Sequence, residues 1–401
     1  MTIENTELAR QFPALDTLRA VGSLAVLVTH VAFWTGAYTD FQIIGPLLAR
    51  LDVGVALFFV LSGFLLSRQW LVRAEHGLPM PNLRRYLVKR ALRIWPVYIV
   101  TAVLALLLID DNSGRSPAEW VTTLALVDIY VGESLPSGLT QMWSLATEVA
   151  FYIVLPGLML LVIPRGRSAP GATRVVVLVV VMFAVSVLWH TTLSERVPDA
   201  EQRAVGQWLP AYASWFATGI GLALLQVRHT AGRLPRRLHS GLGHVASSPG
   251  ALWVAAVGLL LVASTPLAGP TLLDPPTYSE AVTKNLLYAA VGGLLVFAGA
   301  VCTAGTGYAR IMHSRIARHL GHISYGVFCI HLPVLHLVMS LTGYPLFQGH
   351  LLEVLALTTG LSLLAAEALY RLVERPFMNL APVSRGRVVT NTAPSIEAST
   401  R

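Results

Sequence analysis

An arginine and a histidine, Arg19 and His30, lie eleven residues apart in an otherwise apolar stretch near the start of the chain. On an α-helix this spacing puts both side chains on one face, about 16 Å apart along the axis. Ionisable residues inside an apolar helix are costly and therefore indicate function. A shared face is what the lining of a single passage requires. The structural alternative is a snorkelling arginine and an interfacial histidine.

A second polar face occurs in the run MWSLATEVAFY, where Ser144, Glu148 and Tyr152 are spaced by four residues and form one stripe on a helix. Measured from the outer ends of their predicted helices, Glu148 lies about 9 Å deep and His30 about 6 Å deep. The two side chains are therefore predicted to lie at matching depths in the membrane. A carboxylate beside an imidazole orients it and stabilises its protonated form, as a general base requires. The sequence predicts that Glu148 supports His30 in this way. A glutamate that only bonds a neighbouring helix is the alternative.

Further polar positions are candidate substrate contacts. His331 lies near the middle of the ninth apolar segment, where a hydrogen-bonded packing histidine fits equally well. Ser62 precedes a glycine in FFVLSGFLLSR, and small residues of this kind are typical of close helix packing. Together with Trp143, Ser144 and Tyr152, these two residues complete the predicted substrate pocket.

A basic cluster precedes the third apolar segment and contains Arg84, Arg85, Lys89, Arg90 and Arg93. Guanidinium groups bind phosphate in bidentate fashion, and no glycine-rich phosphate loop accompanies them. The cluster therefore predicts a clamp for a phosphate-rich ligand. Coenzyme A fits, because its slender pantetheine arm can reach a histidine inside the membrane. Ordinary positive-inside bias and attraction to anionic lipid are the alternative explanation.

The composition places all these residues in membrane helices. Hydrophobic residues make up 54% of the 401 positions and charged residues 12%, and the mean hydropathy is +0.62. A soluble enzyme needs more surface charge, and a disordered chain has fewer apolar residues. A membrane-crossing helix needs about 20 apolar residues. This length predicts an all-α polytopic protein with ten spans, near 15–34, 51–71, 92–109, 142–163, 174–190, 208–227, 250–265, 285–304, 320–341 and 351–373.

The basic residues predict the orientation. With the N-terminus inside, 24 of the 29 lysines and arginines fall on the cytoplasmic side of these spans, so both termini are predicted to be cytoplasmic. We expect an N-terminal segment at 1–14, a membrane domain at 15–376 and a disordered cytoplasmic tail at 377–401. The short apolar segment 119–131 is predicted to be re-entrant or interfacial. Cys302 and Cys329 lie in apolar runs, so neither a disulfide nor a metal site is expected.

The chain resembles the acyltransferase-3 family of bacterial integral membrane acyltransferases. The matching pieces follow in the family's order over residues 15–376. They are LDTLRAVGSLAVLVTH, FFVLSGFLL, RALR, MWSLATEVAFY, ISYGVFCIHLP and VERP. Each piece alone is weak, but the ordered set is specific. The resemblance maps the family's arginine–histidine pair onto Arg19 and His30, its RxxR onto Arg90 and Arg93, and its fourth-span glutamate onto Glu148.

The resemblance implies a ten-helix fold in the bacterial cytoplasmic membrane. It also implies transfer of an acyl group, acetyl or another short chain, from acyl-CoA to a hydroxyl. Acceptors in the family include glycans, lipids and secondary metabolites such as macrolides, and the chain is similar to stand-alone members without a hydrolase-like domain. We expect the lipid bilayer as a partner, no nucleic acid, no metal and no tightly bound cofactor, with acyl-CoA as a substrate.

Two other classes of protein compete with this interpretation. A permease or exporter would move a glycan or secondary metabolite without chemistry, although the absence of an internal repeat weakens a transporter built from inverted halves. A membrane scaffold would gain nothing from an intramembrane Arg19, His30 and Glu148. The sequence leaves open the acyl length, the acceptor and its side of the membrane, the oligomeric state, and the choice between direct transfer and an acyl-enzyme.

Overall fold

The computed structural model describes residues 10–132, 134–163, 171–192, 205–272, 274–301 and 306–381. Most of these residues are helical, and they contain no strand. We number their ten longest helices α1 to α10. They are Pro13–Trp34, Val53–Glu75, Leu83–Leu108, Met142–Val162, Ala172–Thr192, Ala213–Thr230, Pro249–Ala263, Tyr278–Val301, Arg315–Thr342 and Leu351–Leu369. Residues 1–9 and nearly all of the predicted tail, 382–401, lie outside the described residues, as does Cys302.

Shorter helices connect the long ones. Ala37–Asp40, Ile44–Ala49 and a 3₁₀ turn at Arg50–Asp52 lead into α2. The predicted re-entrant segment 119–131 forms two short helices, Pro117–Ala125 and Asp128–Val131, separated at Leu126 by a left-handed residue with φ 62°. Other short helices lie at Arg236–Ala246, Gly307–Met312 and Arg375–Asn379.

The protein is an all-α multi-pass membrane protein. A long helix occurs at each of the ten predicted positions, and eight candidate spans among the described residues are long and apolar enough to cross a bilayer, or nine with one bent pair. That pair is Arg236–Ala246 and α7, which meet at an angle of 83°. Helix α7 counts as a candidate span only within this pair, because it has just 15 residues of its own. Helix α6 has 18 residues and is not among the candidates, since Gln226, Arg228 and His229 lie in its last turns. The inside–outside orientation stays a prediction.

Helix α3 begins earlier than the sequence pattern predicts. The side chain of Asn82 accepts a hydrogen bond from the backbone N–H of Arg85 at 2.9 Å, which caps the first turn. The helix therefore starts at Leu83 rather than near 92, and the basic cluster belongs to a helix instead of a loop. This extension gives Arg90 and Arg93 a fixed helical spacing of one turn.

Glycines bring the central helices into backbone contact. A Cβ atom at Gly63 of α2 would overlap the carbonyl of Phe216 in α6, and one at Gly219 of α6 would overlap the carbonyl of Val60 in α2. Small residues at such crossings let membrane helices pack closely. The packing fixes the position of α2, which lies at the centre of the fold beside α1, α6 and α8.

We expect Gly219→Ala to destabilise the fold, because the added methyl group meets backbone that can move only if two helices separate. Overpacking of this kind costs about 1–3 kcal/mol. Gly221→Ala, two residues away on the same helix, is the matched control, since its nearest neighbour is a Val179 methyl group at an ordinary 3.8 Å. Thermal unfolding of the purified protein in detergent, followed by size-exclusion chromatography, measures the difference. Equal melting temperatures for the two variants would contradict the packing account.

Helices at the centre and at the periphery differ in burial. The apolar windows of α1 and α9 are 56% and 72% buried, whereas those of α5 and of the segment that includes α10 are 17% and 22% buried. The exposed valines and leucines of α5 and α10 provide the surface expected to face lipid. The two cavities described next lie among α1, α2, α3, α4, α8 and α9.

Candidate active site

A narrow cavity of about 80 Å³ lies between α1, α2, α3, α4 and α9. We call it the arginine chamber, because Arg19, Arg90 and Arg93 line it beside Glu148. Its remaining wall includes Ser62, Ser144, Tyr152, Ser324, Tyr325 and a set of apolar side chains. The structure thus brings together the predicted arginine of α1, both arginines of the predicted phosphate clamp and the predicted glutamate.

The arginines of this chamber differ in their partners. Arg19 Nη1 contacts Asp16 Oδ1 at 2.7 Å, and the Arg19 side chain is 21% exposed. The Nε atom of Arg90 is buried without a hydrogen-bond partner. Because a buried donor without a partner is costly, this N–H is available for an anionic or carbonyl ligand. The chamber is therefore suited to bind an acceptor-rich molecule.

Glu148 is held by hydroxyl groups of two helices. Its Oε1 atom accepts a hydrogen bond from Tyr152 at 2.6 Å and another from Ser62 of α2. The predicted polar stripe of α4 is therefore real, and it faces α2. The predicted pairing of Glu148 with His30 is not seen, since Glu148 bonds Ser62 and Tyr152 whereas His30 bonds His331. Ser62, predicted as a substrate contact, instead binds Glu148.

The partner of His30 is a second histidine. His30 Nδ1 and His331 Nε2 are 3.0 Å apart, and they join α1 to α9 across 301 positions of sequence. His331 is fully buried, and its Nδ1 atom lies 2.8 Å from the carbonyl oxygen of Phe328. His331 was predicted as a substrate contact, but its described contacts are with His30 and with its own helix.

His30 lines a second and larger cavity of about 400 Å³, which we call the histidine chamber. Cavities of about 300–1,000 Å³ with aromatic walls and a few convergent polar groups are typical of small-molecule sites. Trp143, Tyr212 and Trp215 form its aromatic wall, with ring centroids 5.0 Å and 4.6 Å apart in succession. Trp143 was predicted to contact substrate, and this placement is compatible with that role.

The polar wall of the histidine chamber is made by residues that the sequence pattern did not single out. Lys284 Nζ contacts Asp52 Oδ2 at 2.8 Å, and Tyr288 donates a hydrogen bond to the same carboxylate. Asn285 Oδ1 accepts a hydrogen bond from Ser214 at 2.5 Å. Asp52 and Lys284 stand 232 positions apart near helix ends, where charged residues are ordinary. No local signal could therefore have paired them.

Gln141 is a further residue that sequence reasoning missed. Its Nε2 atom donates to the carbonyl of Cys329 at 2.9 Å, which ties the start of α4 to α9 two residues before His331. Its Oε1 atom is buried without a partner, and the residue lines the histidine chamber. A hydroxyl or amide of a ligand in this cavity would satisfy that oxygen.

The two chambers follow one another along the same helices. On α1 the lining passes from Arg19 to His30, on α2 from Ser62 to Val55, and on α4 from Glu148 to Trp143. The aromatic side chains Phe58, Phe59 and Phe328 line the arginine chamber, and the rings of Phe58 and Phe328 meet edge to face at 5.7 Å. Arg19 and His30 therefore line two neighbouring cavities on the same helices, and a single passage that joins the two residues stays a prediction.

The remaining predicted residues fall on different sides of this passage. Arg84 is exposed and Arg85 half-buried in the first turn of α3, and neither lines a chamber. Ser144 lines the arginine chamber, whereas its neighbour Trp143 lines the histidine chamber. The predicted substrate pocket is therefore divided between two cavities, and the predicted anion clamp reduces to Arg90 and Arg93 together with Arg19.

A buried acid also lies near the arginine chamber. The last helical segment contains a π-turn at Tyr370–Glu374, and Glu374 is 3% exposed. Irregular turns of this type are frequent at functional sites. Glu374 is close enough to Arg93 and Arg19 to interact electrostatically. The VERP motif of the sequence contains this residue, so the motif could have identified Glu374 as a candidate site residue.

Within the described residues no group of three or more histidine, cysteine, aspartate or glutamate side chains is arranged to hold a metal ion. The fold and the cavities define a polytopic membrane protein with a cationic chamber and a histidine chamber in tandem. Residues 12–368 match the family model described as an acyltransferase domain, Acyl_transf_3. The chain therefore belongs to this acyltransferase family, as its motifs indicated.

Curated relatives extend over most of this chain. Peptidoglycan O-acetyltransferase OatA of Listeria monocytogenes is 24% identical over 92% of the chain and 56% of its own length. YrhL of Bacillus subtilis, provisionally named for the same activity, is 25% identical over 92% of the chain and 55% of its own length. Regulator of hypoxia-inducible factor 1 of Caenorhabditis elegans is 24% identical over 94% of the chain and 81% of its own length. The chain spans about half the length of the first two. No solved structure matches it.

Proposed function

We propose that the protein is a membrane O-acyltransferase of the cytoplasmic membrane. It moves an acetyl or other short acyl group from acyl-CoA to a hydroxyl of a sugar-containing acceptor, such as a glycan or a macrolide-type secondary metabolite. One observation carries this proposal: a chamber lined by Arg19, Arg90 and Arg93 and a chamber lined by His30 follow one another along the same helices. A donor with a phosphorylated head and a long arm fits that order.

The donor enters through the arginine chamber. Its volume of about 80 Å³ admits a slender arm rather than a nucleotide, so the phosphates remain near the arginines of α3 while the pantetheine arm passes inward. The free Nε–H of Arg90 is one donor for a phosphate or an amide carbonyl. The aromatic rings of Phe58 and Phe328, which line the same chamber, limit its width and favour a small acyl group.

The acceptor occupies the histidine chamber. The aromatic surfaces of Trp143, Tyr212 and Trp215 provide apolar faces, and Asp52 and Gln141 provide hydrogen-bond acceptors for hydroxyl groups. A rigid aromatic wall with a few polar groups is a common way to orient a polyhydroxylated ligand. Two relatives carry peptidoglycan O-acetyltransferase in their names, which supports a saccharide acceptor.

His30 serves as the general base of the transfer. The acceptor hydroxyl gives its proton to His30 as its oxygen attacks the thioester carbonyl, and a tetrahedral intermediate forms. The C–S bond then breaks, the ester is released, and the proton moves from the imidazolium to the coenzyme A thiolate. Proton transfer by a positioned side chain contributes roughly 10²- to 10⁴-fold to such reactions.

The release of coenzyme A thiol tests the proposed activity. Purified protein in proteoliposomes receives acetyl-CoA with and without soluble peptidoglycan fragments, and a thiol reagent follows the reaction. We expect release that depends on the protein and increases with the fragments. Uptake of the fragments into the vesicles without thiol release would contradict the proposal and favour a permease.

A further inference from the structure

The contact between His30 and His331 determines where their protons lie. A neutral imidazole has one N–H donor and one lone-pair acceptor, and its surroundings choose between the two tautomers. The His30 Nδ1 to His331 Nε2 distance of 3.0 Å is that of a hydrogen bond. One of these two nitrogens must therefore carry the hydrogen and the other the lone pair.

The backbone of α9 settles the tautomer of His331. Its Nδ1 atom lies 2.8 Å from the carbonyl oxygen of Phe328 and 3.2 Å from that of Val327. Carbonyl oxygens only accept hydrogen bonds, so Nδ1 must carry the hydrogen. The opposite tautomer would point a lone pair at two carbonyls in a fully buried environment, which leaves polar groups unsatisfied at high cost.

The tautomer of His331 in turn settles that of His30. A doubly protonated His331 would be a buried charge whose nitrogens meet only two carbonyls and another histidine, which is unfavourable. In its neutral form, with the hydrogen on Nδ1, His331 presents a lone pair at Nε2. His30 Nδ1 must then donate its hydrogen across the 3.0 Å contact. The lone pair of His30 is left on Nε2.

We propose that His331 is a positioning residue that fixes the tautomer of His30 and leaves Nε2 of His30 as the proton acceptor. Nδ1 is engaged by His331, so Nε2 is the nitrogen left to accept the proton of a hydroxyl in the histidine chamber that His30 lines. When the hydroxyl proton moves to Nε2, the imidazolium keeps its Nδ1–H bond to His331, and this bond becomes charge-assisted and stronger. The use of the lone pair rests on the proposed function, whereas the proton positions follow from the contacts alone.

Solid-state nuclear magnetic resonance of the full chain in lipid bilayers tests the proton positions. The protein is labelled with ¹⁵N in its 12 histidine rings, and His30→Gln and His331→Gln variants assign the two signals of interest. We expect both histidines to be protonated at Nδ1 and unprotonated at Nε2. A His30 ring protonated at Nε2 would overturn the proposal, and this readout needs no enzymatic activity.

Two substitutions of His331 test the consequence for catalysis. Gln places a carbonyl oxygen near the position of Nε2 and can still accept from His30, so we expect His331→Gln to keep the Nδ1–H tautomer and most of kcat. Leu removes the acceptor. The carbonyl of Val26, which also accepts a hydrogen bond from the His30 ring, remains. We therefore expect His331→Leu to weaken the preference for one tautomer of His30 and to lower kcat by up to roughly tenfold, with KM for acetyl-CoA unchanged.

The outcomes separate this proposal from the proposed function. An unchanged His30 tautomer and kcat in His331→Leu would overturn the positioning role while leaving acyl transfer intact. An inactive wild-type protein with the expected tautomers would instead contradict the proposed function. If His331→Leu fails to fold, the wild-type spectrum still decides the proton positions.

Discussion

His30→Ala is expected to lose acyl transfer by roughly 10²- to 10⁴-fold, the contribution of a positioned general base. The loss should appear in kcat, because His30 lies in the acceptor chamber and not among the arginines that are proposed to bind the donor. Thiol release from acetyl-CoA with peptidoglycan fragments measures it. Binding of acetyl-CoA should be preserved, since Arg19 and Arg90 are untouched.

His350→Ala provides the matched control. His350 precedes α10, its side chain is 44% exposed, and it contacts Glu353 at 3.2 Å away from both chambers. Removal of this histidine should leave the rate unchanged. Near wild-type turnover by a folded His30→Ala variant would contradict the assignment of His30 as the base.

Arg90→Ala is expected to raise the KM for acetyl-CoA by about ten- to a hundredfold, with a smaller effect on kcat. A hydrogen bond to a charged group contributes about 1.5–3 kcal/mol, and each 1.4 kcal/mol is a factor of ten in binding. Arg90→Lys should recover only part of the affinity, because lysine keeps the charge but loses the planar fork that pairs with phosphate. Initial rates at varied acetyl-CoA concentration measure both parameters.

Substitutions of two other arginines serve as controls for the effect of Arg90→Ala on KM. Arg84→Ala, in the exposed first turn of the same helix, should change KM by a few-fold at most, because exposed charges are screened by salt. Arg73→Ala serves as the control outside the cluster, since Arg73 bonds the carbonyl of Pro79 at 2.9 Å. If Arg90→Ala and Arg73→Ala give the same KM, the arginine chamber is not the donor site.

Much of the fold could be predicted from apolar segments alone. Each of the ten predicted segments contains a long helix, because length and hydropathy are local properties of the chain. The start of α3 was missed, since four of the nine residues 83–91 are basic. Their helix depends on the Asn82 cap and on continuity with the apolar part. Helix α6 was predicted correctly as a helix, but it packs in the core with a polar last turn.

The arginine side of the candidate site was also predictable. Arg90 and Arg93 share a helical face whatever the exact start of α3, and Arg19 joins them in one cavity. The pairing of Glu148 with His30 was wrong because depth below a helix end does not say which neighbour a side chain meets. The structure places Gln141 and Trp143 beside the chamber of His30, and Glu148 lies more than one turn further along α4.

Contacts between distant parts of the chain were beyond sequence reasoning. His30 and His331, or Asp52 and Lys284, meet because the folded chain brings together helices that are far apart in the sequence. A single sequence contains no record of such pairs. The resemblance to a family implied roles for individual residues but did not identify the partner of His30. The structure shows that this partner is His331 of α9.

Transfer of an isotope-labelled acetyl group tests the central claim most directly. Proteoliposomes with the purified chain receive ¹³C-acetyl-CoA and a cell-envelope glycan extract, and mass spectrometry follows the saccharides. The account predicts a labelled, alkali-labile acetyl ester on a saccharide with the wild-type protein and its loss with His30→Ala. The account would be contradicted if folded wild-type protein that binds acetyl-CoA left the saccharides unlabelled. It would also be contradicted if the wild-type protein and the His30→Ala variant labelled them equally.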